Sequence, residues 1–247
     1  MSLPLYLTPR GGLDDIAAGE VVTITGEEAR HAVTVRRTGI GTRIRVADGA
    51  GRVVTGAVVA ASPRLLQVRA EVVDDIPEPT PRFVLVQALA KGGRDEQAIE
   101  AAAELGVDEV VPWRAERSIV QWRGERAARA LAKWDAVLVA ATKQSRRVRR
   151  PTLAAAVTTR GLARRVPTSS ATYLLHEEAA TPLAGMALPA HGDVLLVVGP
   201  EGGIAPAELD LLVAAGGVPA RLGENVLRSS SAGPAALAVL NAAGRWR

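Results

Sequence analysis

Cysteine is absent from this sequence of 247 residues. Its absence excludes disulfide bonds, thiolate metal sites and every cysteine nucleophile. Histidine is scarce as well, and His31, His176 and His191 are too scattered along the chain to indicate a metal cluster. We therefore expect a protein without a metal centre.

Long apolar runs are also missing. No run approaches the roughly 18 residues that a membrane span needs, and the first ten residues lack the apolar stretch of a signal peptide. The hydrophobic content of 48% is ordinary for a globular protein, and the length allows one large domain or two small ones. We expect a soluble cytoplasmic protein with a sizeable core and no membrane partner.

Charge is distributed unevenly along the chain. Residues 82–165 carry seventeen Lys and Arg against nine Asp and Glu, whereas residues 166–247 carry four against seven. All but three of the 30 basic residues are arginine, a side chain that suits bidentate phosphate contacts. The arginine content can equally reflect genome composition, so the position of the basic region is the more informative observation.

One stretch near the carboxyl terminus predicts a ligand site. Residues 194–198 form an unbroken apolar run ending at Gly199, which predicts a strand buried on both faces. The loop GPEGG follows, and Pro206 and Glu208 predict the first turn of a helix that continues to about residue 215. Residues 218–222 predict a second strand, followed by a polar loop. Loops that leave the carboxyl ends of parallel strands are where open α/β sheets bind ligands.

Known phosphate-binding loops do not match this stretch. A Walker loop needs a lysine that no residue after Gly199 supplies, and Glu201 stands where the dinucleotide fingerprint has its second glycine. A carboxylate there would repel a pyrophosphate but tolerate a cation. A neutral adenosine with a positive sulfonium is therefore a better ligand than a nucleoside triphosphate. The alternative is that GPEGG is only a turn between a strand and a helix.

The first 73 residues predict a small, mostly β unit. The hairpin signal DGAG and a short helix over residues 26–37 lie between β-branched or alternating runs. Residues 74–81, DDIPEPTP, contain three prolines and predict a linker. The predicted strands of this unit cover residues 21–25, 43–46, 52–60 and 65–73.

The rest of the chain predicts a parallel α/β sheet. A strand over residues 83–90, a helix over 95–105 and a strand over 109–111 form a βαβ unit. Residues 124–142 predict a helix with Trp134 in the core, and residues 171–175 predict a further strand. Between these two elements, residues 151–170 predict only a loose connector with a short helix.

Three long motifs resemble those of one protein family. They are GPEGG followed by LGENVLR and small hydroxylated residues, KGGRDEQAIEAAAELGVDEVVPWRAERS, and HAVTVRRTGIGTRIRVADGAGR. Together they resemble the knotted (SPOUT) RNA methyltransferases, and among them the family that methylates N3 of a uridine in small-subunit ribosomal RNA. The resemblance covers nearly the whole chain. It implies a PUA-like RNA-binding β-barrel over residues 1–73, the linker over 74–81 and a methyltransferase domain over 82–247, with a trefoil knot over about 194–247.

The same resemblance implies a cofactor, a partner and a set of site residues. The cofactor is S-adenosylmethionine, the partner is ribosomal RNA or the small ribosomal subunit, and the protein is a homodimer. The catalytic candidates are Arg228 and Glu201, with Glu201 near the sulfonium; the alternative for Arg228 is a salt bridge to Glu201 or Glu224. The expected cofactor-binding residues are Leu175, His176, Gly199, Pro200, Glu201, Gly202, Gly203, Leu222, Gly223, Val226, Leu227 and Arg228.

Basic side chains are the expected RNA contacts. Residues 143–150 contain five positive charges and no negative one, and they lie at a position of the sheet domain where the family has a similar basic motif. A solvated surface is the alternative explanation of such a run. The expected RNA-binding residues are Arg10, Arg36, Arg37, Lys91, Arg94, Arg117, Lys143, Arg146 and Arg147.

The sequence departs from the family pattern at two points. Lys143 stands where the family often has glutamate, and residues 229–231 are serines where a glutamate flanked by threonines is common. We expect these serines to cap a helix that starts near Gly233 and Pro234. Ribose 2′-O methylation by the same fold, or RNA binding with a degenerate cofactor pocket, are the alternatives; nucleotide hydrolysis is disfavoured by the missing phosphate lysine.

Overall fold

A computed structural model describes residues 3–246, so the outer limits of the two predicted domains, Met1 and Arg247, lie outside it. The chain forms two compact units. The first extends to Glu78 and includes Thr142–Arg150, and the second contains Pro79–Ala141 and the chain from Pro151 onward. In the described part of the chain, no helix is long and apolar enough to cross a membrane.

The first unit is built on a five-stranded sheet. Its strands are β1 (Leu5–Leu7), β2 (Val21–Thr25), β3 (Arg43–Ala47), β4 (Arg52–Ser62) and β5 (Leu65–Asp75). Their order is β1-β3-β4-β5-β2, with β1 parallel to β3 and the other pairs antiparallel. β2 to β5 confirm the four predicted strands, because β-branched residues favour a half-buried pleated surface. β1 was not predicted, since three residues give too short a pattern.

A short helical segment covers this sheet. α1 (Gly26–Arg30) continues into a π-helical turn over His31–Val35, which ends before the predicted limit at residue 37. Arg37 has a φ of 53°, a left-handed conformation that cannot extend a right-handed helix. Beneath it, the hydroxyl of Tyr6 lies 2.7 Å from Oγ1 of Thr38, so the largest buried side chain of this core is also hydrogen-bonded.

The basic segment packs with the first unit, which corrects the expectation that it lies in the sheet domain. The ammonium of Lys143 forms an ion pair with Glu28, and Nε of Arg149 donates to the carbonyl oxygen of Ile76 at 2.9 Å. The backbone N–H of Arg150 donates to the carbonyl of Gly49, also at 2.9 Å. These interactions join the segment to α1, to the β3–β4 turn and to the residues after β5, which lie far from it in sequence.

The second unit is built on a parallel sheet. Its strands are β6 (Arg82–Ala88), β7 (Glu109–Arg114), β8 (Thr152–Leu153), β9 (Val157–Thr158), β10 (Ala171–Leu175), β11 (Asp193–Val198) and β12 (Val218–Ala220). The order is β12-β10-β11-β6-β7-β8, and β9 also pairs with β7. The paired strands are parallel throughout. The predicted parallel sheet is therefore confirmed, although β8 and β9 had been predicted as connector.

Helices cover both faces of this sheet. Phe83 and Leu85 of β6 face the core that holds Trp134, while Val84 and Val86 face the opposite core. This alternation explains why the central strands are continuous apolar runs. The burial of Trp134, 1% exposed, confirms its predicted place in the core. The helices are α2 (Arg94–Glu104), α3 (Glu125–Gln144), α4 (Thr159–Arg165), α5 (Pro206–Ala214) and α6 (Ser229–Ala243).

The last helix begins earlier than predicted. α6 starts at Ser229, with Arg228 as the residue before its first turn, and Pro234 lies inside the helix. The serines therefore belong to the first turn instead of capping a later start, and no side-chain cap is formed at Arg228. As the sixth residue of α6, Pro234 lies beyond the first turn and leaves the carbonyl of Ser230 without its i→i+4 backbone donor. Gly233 packs tightly, since a Cβ would lie 2.8 Å from Cδ1 of Leu85.

Candidate cofactor site and active site

A cavity opens at the carboxyl ends of β10 and β11. Its volume is about 390 Å³, within the range of small-molecule sites. A second cavity of about 70 Å³ shares Leu175, His176 and Leu227 with it and extends to the end of β12. The larger cavity is lined by Arg94, Leu175, His176, Glu177, Val198, Gly199, Pro200, Glu201, Gly203, Ile204, Val226, Leu227, Arg228, Ser229 and Ala232.

Sheet topology explains why these residues meet. β12, β10 and β11 are neighbours and run parallel, so the loops that follow them lie at one edge of the sheet. Most of the residues predicted to bind the cofactor line one of the two cavities, including Leu222 and Gly223 in the smaller one. Gly202 lines neither cavity, because it faces the side chain of Arg117.

The loop after β11 is a compact turn. The backbone N–H of Gly203 donates to the carbonyl of Pro200 at 2.9 Å. Gly203 has a φ of +74°, which favours glycine. A Cβ on Gly199 would lie 2.8 Å from Cγ1 of Ile204, so this turn closes on itself without room for a side chain. The sequence GPEGG thus forms a narrow backbone wall beside the cavity.

Glu201 is held by a basic neighbour in this wall. Its Oε1 accepts hydrogen bonds from Nη1 of Arg94 at 3.0 Å and from the backbone N–H of Lys91 at 3.3 Å. Burial acts to raise the pKa of Glu201, but its own backbone N–H, that of Lys91 and the Arg94 guanidinium together hold the pKa below its ordinary value. Glu201 is therefore an ionised carboxylate at neutral pH.

Arg228, a catalytic candidate, lies at the same cavity as Glu201. It lines the larger cavity, its residue is exposed, and it forms no ion pair with another described residue. The alternative expected for it, a salt bridge to Glu201 or Glu224, is not formed in the described structure, and Glu201 pairs with Arg94 instead. The guanidinium of Arg228 is thus available at the mouth of the cavity.

The loop before α6 leaves apolar side chains uncovered. Val226 is 76% exposed and Leu227 38% exposed, although both line the cavities. At the start of α6, the hydroxyl oxygen of Ser229 is buried and has no hydrogen-bond partner among residues 3–246. A buried hydroxyl without a partner indicates that a polar ligand group or water completes the site.

The third wall follows β10. The backbone N–H of His176 donates to the carbonyl of Ala220 at 3.0 Å, which joins the ends of β10 and β12. The Nδ1 atom of His176 accepts the backbone N–H of Glu178 at 3.2 Å. This ring is therefore fixed as part of the wall, with Glu177 beside it.

One buried carboxylate, not predicted as a site residue, joins two loops of the site. Glu208 is 6% exposed and accepts the backbone N–H of Glu116 at 3.0 Å and that of Ala205 at 3.4 Å. It also accepts the hydroxyl of Thr159, which in turn accepts Nε1 of Trp113 at 3.2 Å. The sequence indicated Glu208 only as a first-turn acid, because its partners lie 49 and 92 residues away.

The predicted RNA-binding residues fall into two groups. Lys91, Arg94 and Arg117 lie in the second unit around the GPEGG loop, where Nη1 of Arg117 donates to the carbonyl of Gly202 at 2.9 Å. The other six belong to the first unit, and Lys143 is already paired with Glu28 there. Those six are Arg10, Arg36, Arg37, Lys143, Arg146 and Arg147.

Metal chemistry receives no support from the described side chains. Within residues 3–246, no group of three or more His, Asp or Glu side chains is arranged to hold a metal ion. The buried acid Asp95, at the start of α2, accepts the backbone N–H groups of Ala90 and Glu96 instead. Burial raises the pKa of Asp95 in spite of these bonds.

Fold and site together define a class of protein. The second unit is a parallel α/β domain with a cavity of about 390 Å³ at adjacent strand ends. The model of an RNA methyltransferase domain matches residues 77–241, and that of an RNA methyltransferase PUA domain matches residues 24–71. The chain belongs to the RNA methyltransferase family.

Known relatives are similar over nearly the whole chain. The ribosomal RNA small subunit methyltransferase E of Mycobacterium bovis is 40% identical, with 92% of this chain and 89% of the relative covered. A solved structure of the protein of that name from Neisseria gonorrhoeae, bound to S-adenosyl methionine, is 25% identical with a TM-score of 0.86 and 98% of both chains covered. A Legionella pneumophila protein solved with the bound cofactor SAM is 27% identical with a TM-score of 0.85, again with 98% of both chains covered.

Proposed function

We propose that this protein transfers the methyl group of S-adenosylmethionine to N3 of a uridine in small-subunit ribosomal RNA. The observation that carries the proposal is the pair of joined cavities at the ends of β10, β11 and β12, in a chain 40% identical to a ribosomal RNA small subunit methyltransferase E. The target RNA follows from that relative's name, and the cofactor from the two neighbours solved with it.

The residues of the site fit this cofactor. The smaller cavity offers apolar surface from Leu175, Leu222 and Leu227, which suits a neutral adenine ring. The compact turn at Gly199 lets backbone groups approach a ligand closely. The buried hydroxyl of Ser229 would find a polar partner on a bound ribose or amino-acid group. The ionised carboxylate of Glu201 suits a ligand that carries positive charge.

The bound cofactor supplies an electrophilic methyl group on a sulfonium. The protein's part is to align the acceptor nitrogen with that methyl group, since positioning accounts for much of the acceleration in a displacement of this kind. Walls from three loops restrict how a ligand can lie, and the exposed side chains of Val226 and Leu227 would be covered by it. Covering them excludes water from the reacting atoms.

Arg228 is the proposed catalytic residue. The N3 proton passes to solvent water, which leaves negative charge on the uracil oxygens, and a guanidinium at the cavity would donate hydrogen bonds to them. Its position at the cavity, without an ion-pair partner in the described chain, supports this role. Glu201 is proposed as the acidic group beside the cofactor's positive charge, a role that its lowered pKa supports.

RNA binding is proposed for both units. Arg10, Arg36 and Arg37 are exposed in the first unit, the unit that contains the match to an RNA methyltransferase PUA domain. Exposed arginines attract the phosphate backbone without reading its sequence. We also propose that the first sheet forms the PUA-like barrel, which its order β1-β3-β4-β5-β2 supports.

Two further features of the family are proposed for this chain. The first is a trefoil knot over about residues 194–247, supported by the burial of Leu237 and Leu240 of α6 in the same core as β6 and β11. The second is a homodimer, supported by the exposure of Val226 and of Trp246, which is 59% exposed. Sedimentation as a monomer at working concentrations would contradict the dimer.

The test is methylation of small ribosomal subunits isolated from cells that lack this protein. Purified protein and labelled S-adenosylmethionine are expected to transfer label to ribosomal RNA, and digestion to nucleosides followed by mass analysis is expected to give 3-methyluridine. Detection of a 2′-O-methylated nucleoside would show instead that the protein methylates ribose. If the protein binds the RNA but transfers no methyl group, and calorimetry shows no heat of cofactor binding, its role is non-catalytic RNA binding.

A further inference from the structure

The lining of the two cavities differs from one end to the other. At the β12 end, the smaller cavity is lined by the apolar residues Ala220, Leu222, Val226 and Leu227, together with His176, Glu177, Arg221 and Asn225. Arg94 and Glu201 line only the larger cavity, and Arg94 follows β6 in the chain. Because β12 and β6 flank the β10–β11 pair on opposite sides, a ligand that spans both cavities meets the Leu222 side chain at one end and the Arg94–Glu201 ion pair at the other.

Arg94 is oriented for a further bond. Its side chain is 34% exposed, and one guanidinium nitrogen, Nη1, is committed to Oε1 of Glu201 at 3.0 Å. The other N–H groups of this guanidinium donate to no residue in the described chain. A guanidinium carries five donors in a rigid fork, so a second carboxylate can bind while Glu201 keeps its bond. The ion pair with Glu201 therefore holds the Arg94 guanidinium in place and leaves its other N–H groups able to donate to a ligand.

The ligand that fits an adjacent cation and anion is one that carries both charges. An α-amino acid end has a carboxylate and an ammonium on the same carbon. Its carboxylate matches the free donors of Arg94, and its ammonium matches the carboxylate of Glu201, which lies 3.0 Å from that guanidinium. A phosphate of RNA, by contrast, would satisfy Arg94 but would be repelled by Glu201.

We propose that Arg94 binds the carboxylate, and Glu201 the ammonium, of the amino-acid end of the bound cofactor. The inference rests on the proposed function; it moves Arg94 from the predicted RNA contacts to the cofactor site, and Glu201 from the sulfonium to the ammonium of the cofactor. The two arginines at the cavity then have different ligands. Arg94, held by Glu201, binds the cofactor, and the exposed Arg228 is available to the RNA base.

Titration calorimetry with three ligands tests the proposal on the intact protein. S-adenosylmethionine and S-adenosylhomocysteine both carry the amino-acid end, whereas 5′-methylthioadenosine lacks it. Arg94→Gln is expected to weaken binding of the first two by between about tenfold and a hundredfold, the worth of a charged hydrogen bond. Binding of 5′-methylthioadenosine should change less than about twofold, since no charged bond to it is lost. Arg160→Gln on α4, an exposed arginine outside the cavities, is the matched control and should leave all three affinities unchanged.

The outcomes separate this inference from the proposed function. Wild-type protein that binds none of the three ligands would overturn the proposed function itself. Wild-type binding with equal losses for all three ligands in Arg94→Gln, or with no loss for any, would overturn the role of Arg94 and leave the function standing. A single cooperative thermal unfolding transition of Arg94→Gln, lowered only slightly by the loss of the partly exposed pair with Glu201, checks that a selective loss comes from the missing guanidinium and not from a damaged fold.

Discussion

The two loops that close the cavity are built in opposite ways. The loop over residues 199–205 is tied to its surroundings by Arg94 and Arg117, which bond to it from two distant parts of the chain, and by Glu208 of the helix that follows it. Residues 223–227, in contrast, form no hydrogen bond with another described residue, and Val226 is 76% exposed. The wall formed by residues 199–205 is therefore preformed, whereas the wall formed by residues 223–227 is not held by hydrogen bonds to the rest of the described chain.

This contrast assigns different tasks to the two loops. A preformed wall reduces the conformational entropy lost when a ligand binds, which suits the loop beside the cofactor. An untethered loop can adjust around a substrate and cover the reacting atoms, which suits the loop that directly precedes Arg228. Substitutions in the tethered loop and its anchors should then reduce stability, and substitutions in the untethered loop should reduce turnover.

The largest effect is expected at Arg228. Arg228→Ala should lower the rate constant of methyl transfer by about 10²–10³-fold, the usual cost of removing one donor to a developing oxyanion. The free energy of unfolding should stay within about 0.5 kcal/mol of wild type, because the side chain is exposed. Single-turnover transfer to small subunits measures the rate, and urea unfolding measures the stability. A full rate in this variant would remove Arg228 from the mechanism.

Substitution of Glu208, which anchors the tethered loop, should mainly reduce stability. Glu208→Ala leaves the N–H groups of Glu116 and Ala205 and the Thr159 hydroxyl without their acceptor, so the free energy of unfolding should fall by about 3 kcal/mol. Urea unfolding checks this value. Glu224→Ala, in the untethered loop, is the matched control and should change stability by less than about 0.5 kcal/mol. Equal stability of the two variants would contradict the contrast between the loops.

A substitution at Gly203 tests whether the stability of the tethered loop depends on a left-handed backbone conformation. Its φ of +74° is unfavourable for a residue with a Cβ, so Gly203→Ala should lose about 1–2 kcal/mol of stability. Thermal unfolding measures the shift. Gly185→Ala is the control, because a Cβ there meets no atom within 4 Å and its φ is not positive. A loss of the same size at Gly185 would show that the left-handed conformation is not the cause.

The smallest effect concerns pH. The folded-state pKa of Glu201 lies below its ordinary value of 4.5, so the ionised group stabilises the folded state above pH 4.5. That stabilisation is lost as the pH falls through the lower, folded-state pKa. Glu201→Gln should therefore cost about 0.5 kcal/mol at neutral pH, in the range of partly exposed ion pairs, and nothing in strong acid. Urea unfolding at both pH values measures the difference, and a constant difference would argue against the pair with Arg94.

Local sequence patterns predicted most strands and helices of both units. β2 and β10 have the predicted limits, and α5 ends one residue before the predicted end at residue 215. The errors share a cause. β8 and β9 have two residues each and exist because they pair with β7, and α6 starts at Ser229 although Pro234 suggested a later start. Short pairings and tertiary packing leave no periodic signal in the sequence.

Sequence alone determined the apolar runs of the parallel sheet, the glycines of its loops and the motifs that identify the family. These are local properties, because alternation, turn formation and motif spacing depend on neighbouring residues. Only the tertiary structure decided that Glu201 pairs with Arg94, that Glu208 anchors two loops, and that the basic segment packs with the first unit. Those partners lie tens of residues apart, and only the folded backbone brings their charges and hydrogen-bonding groups within reach.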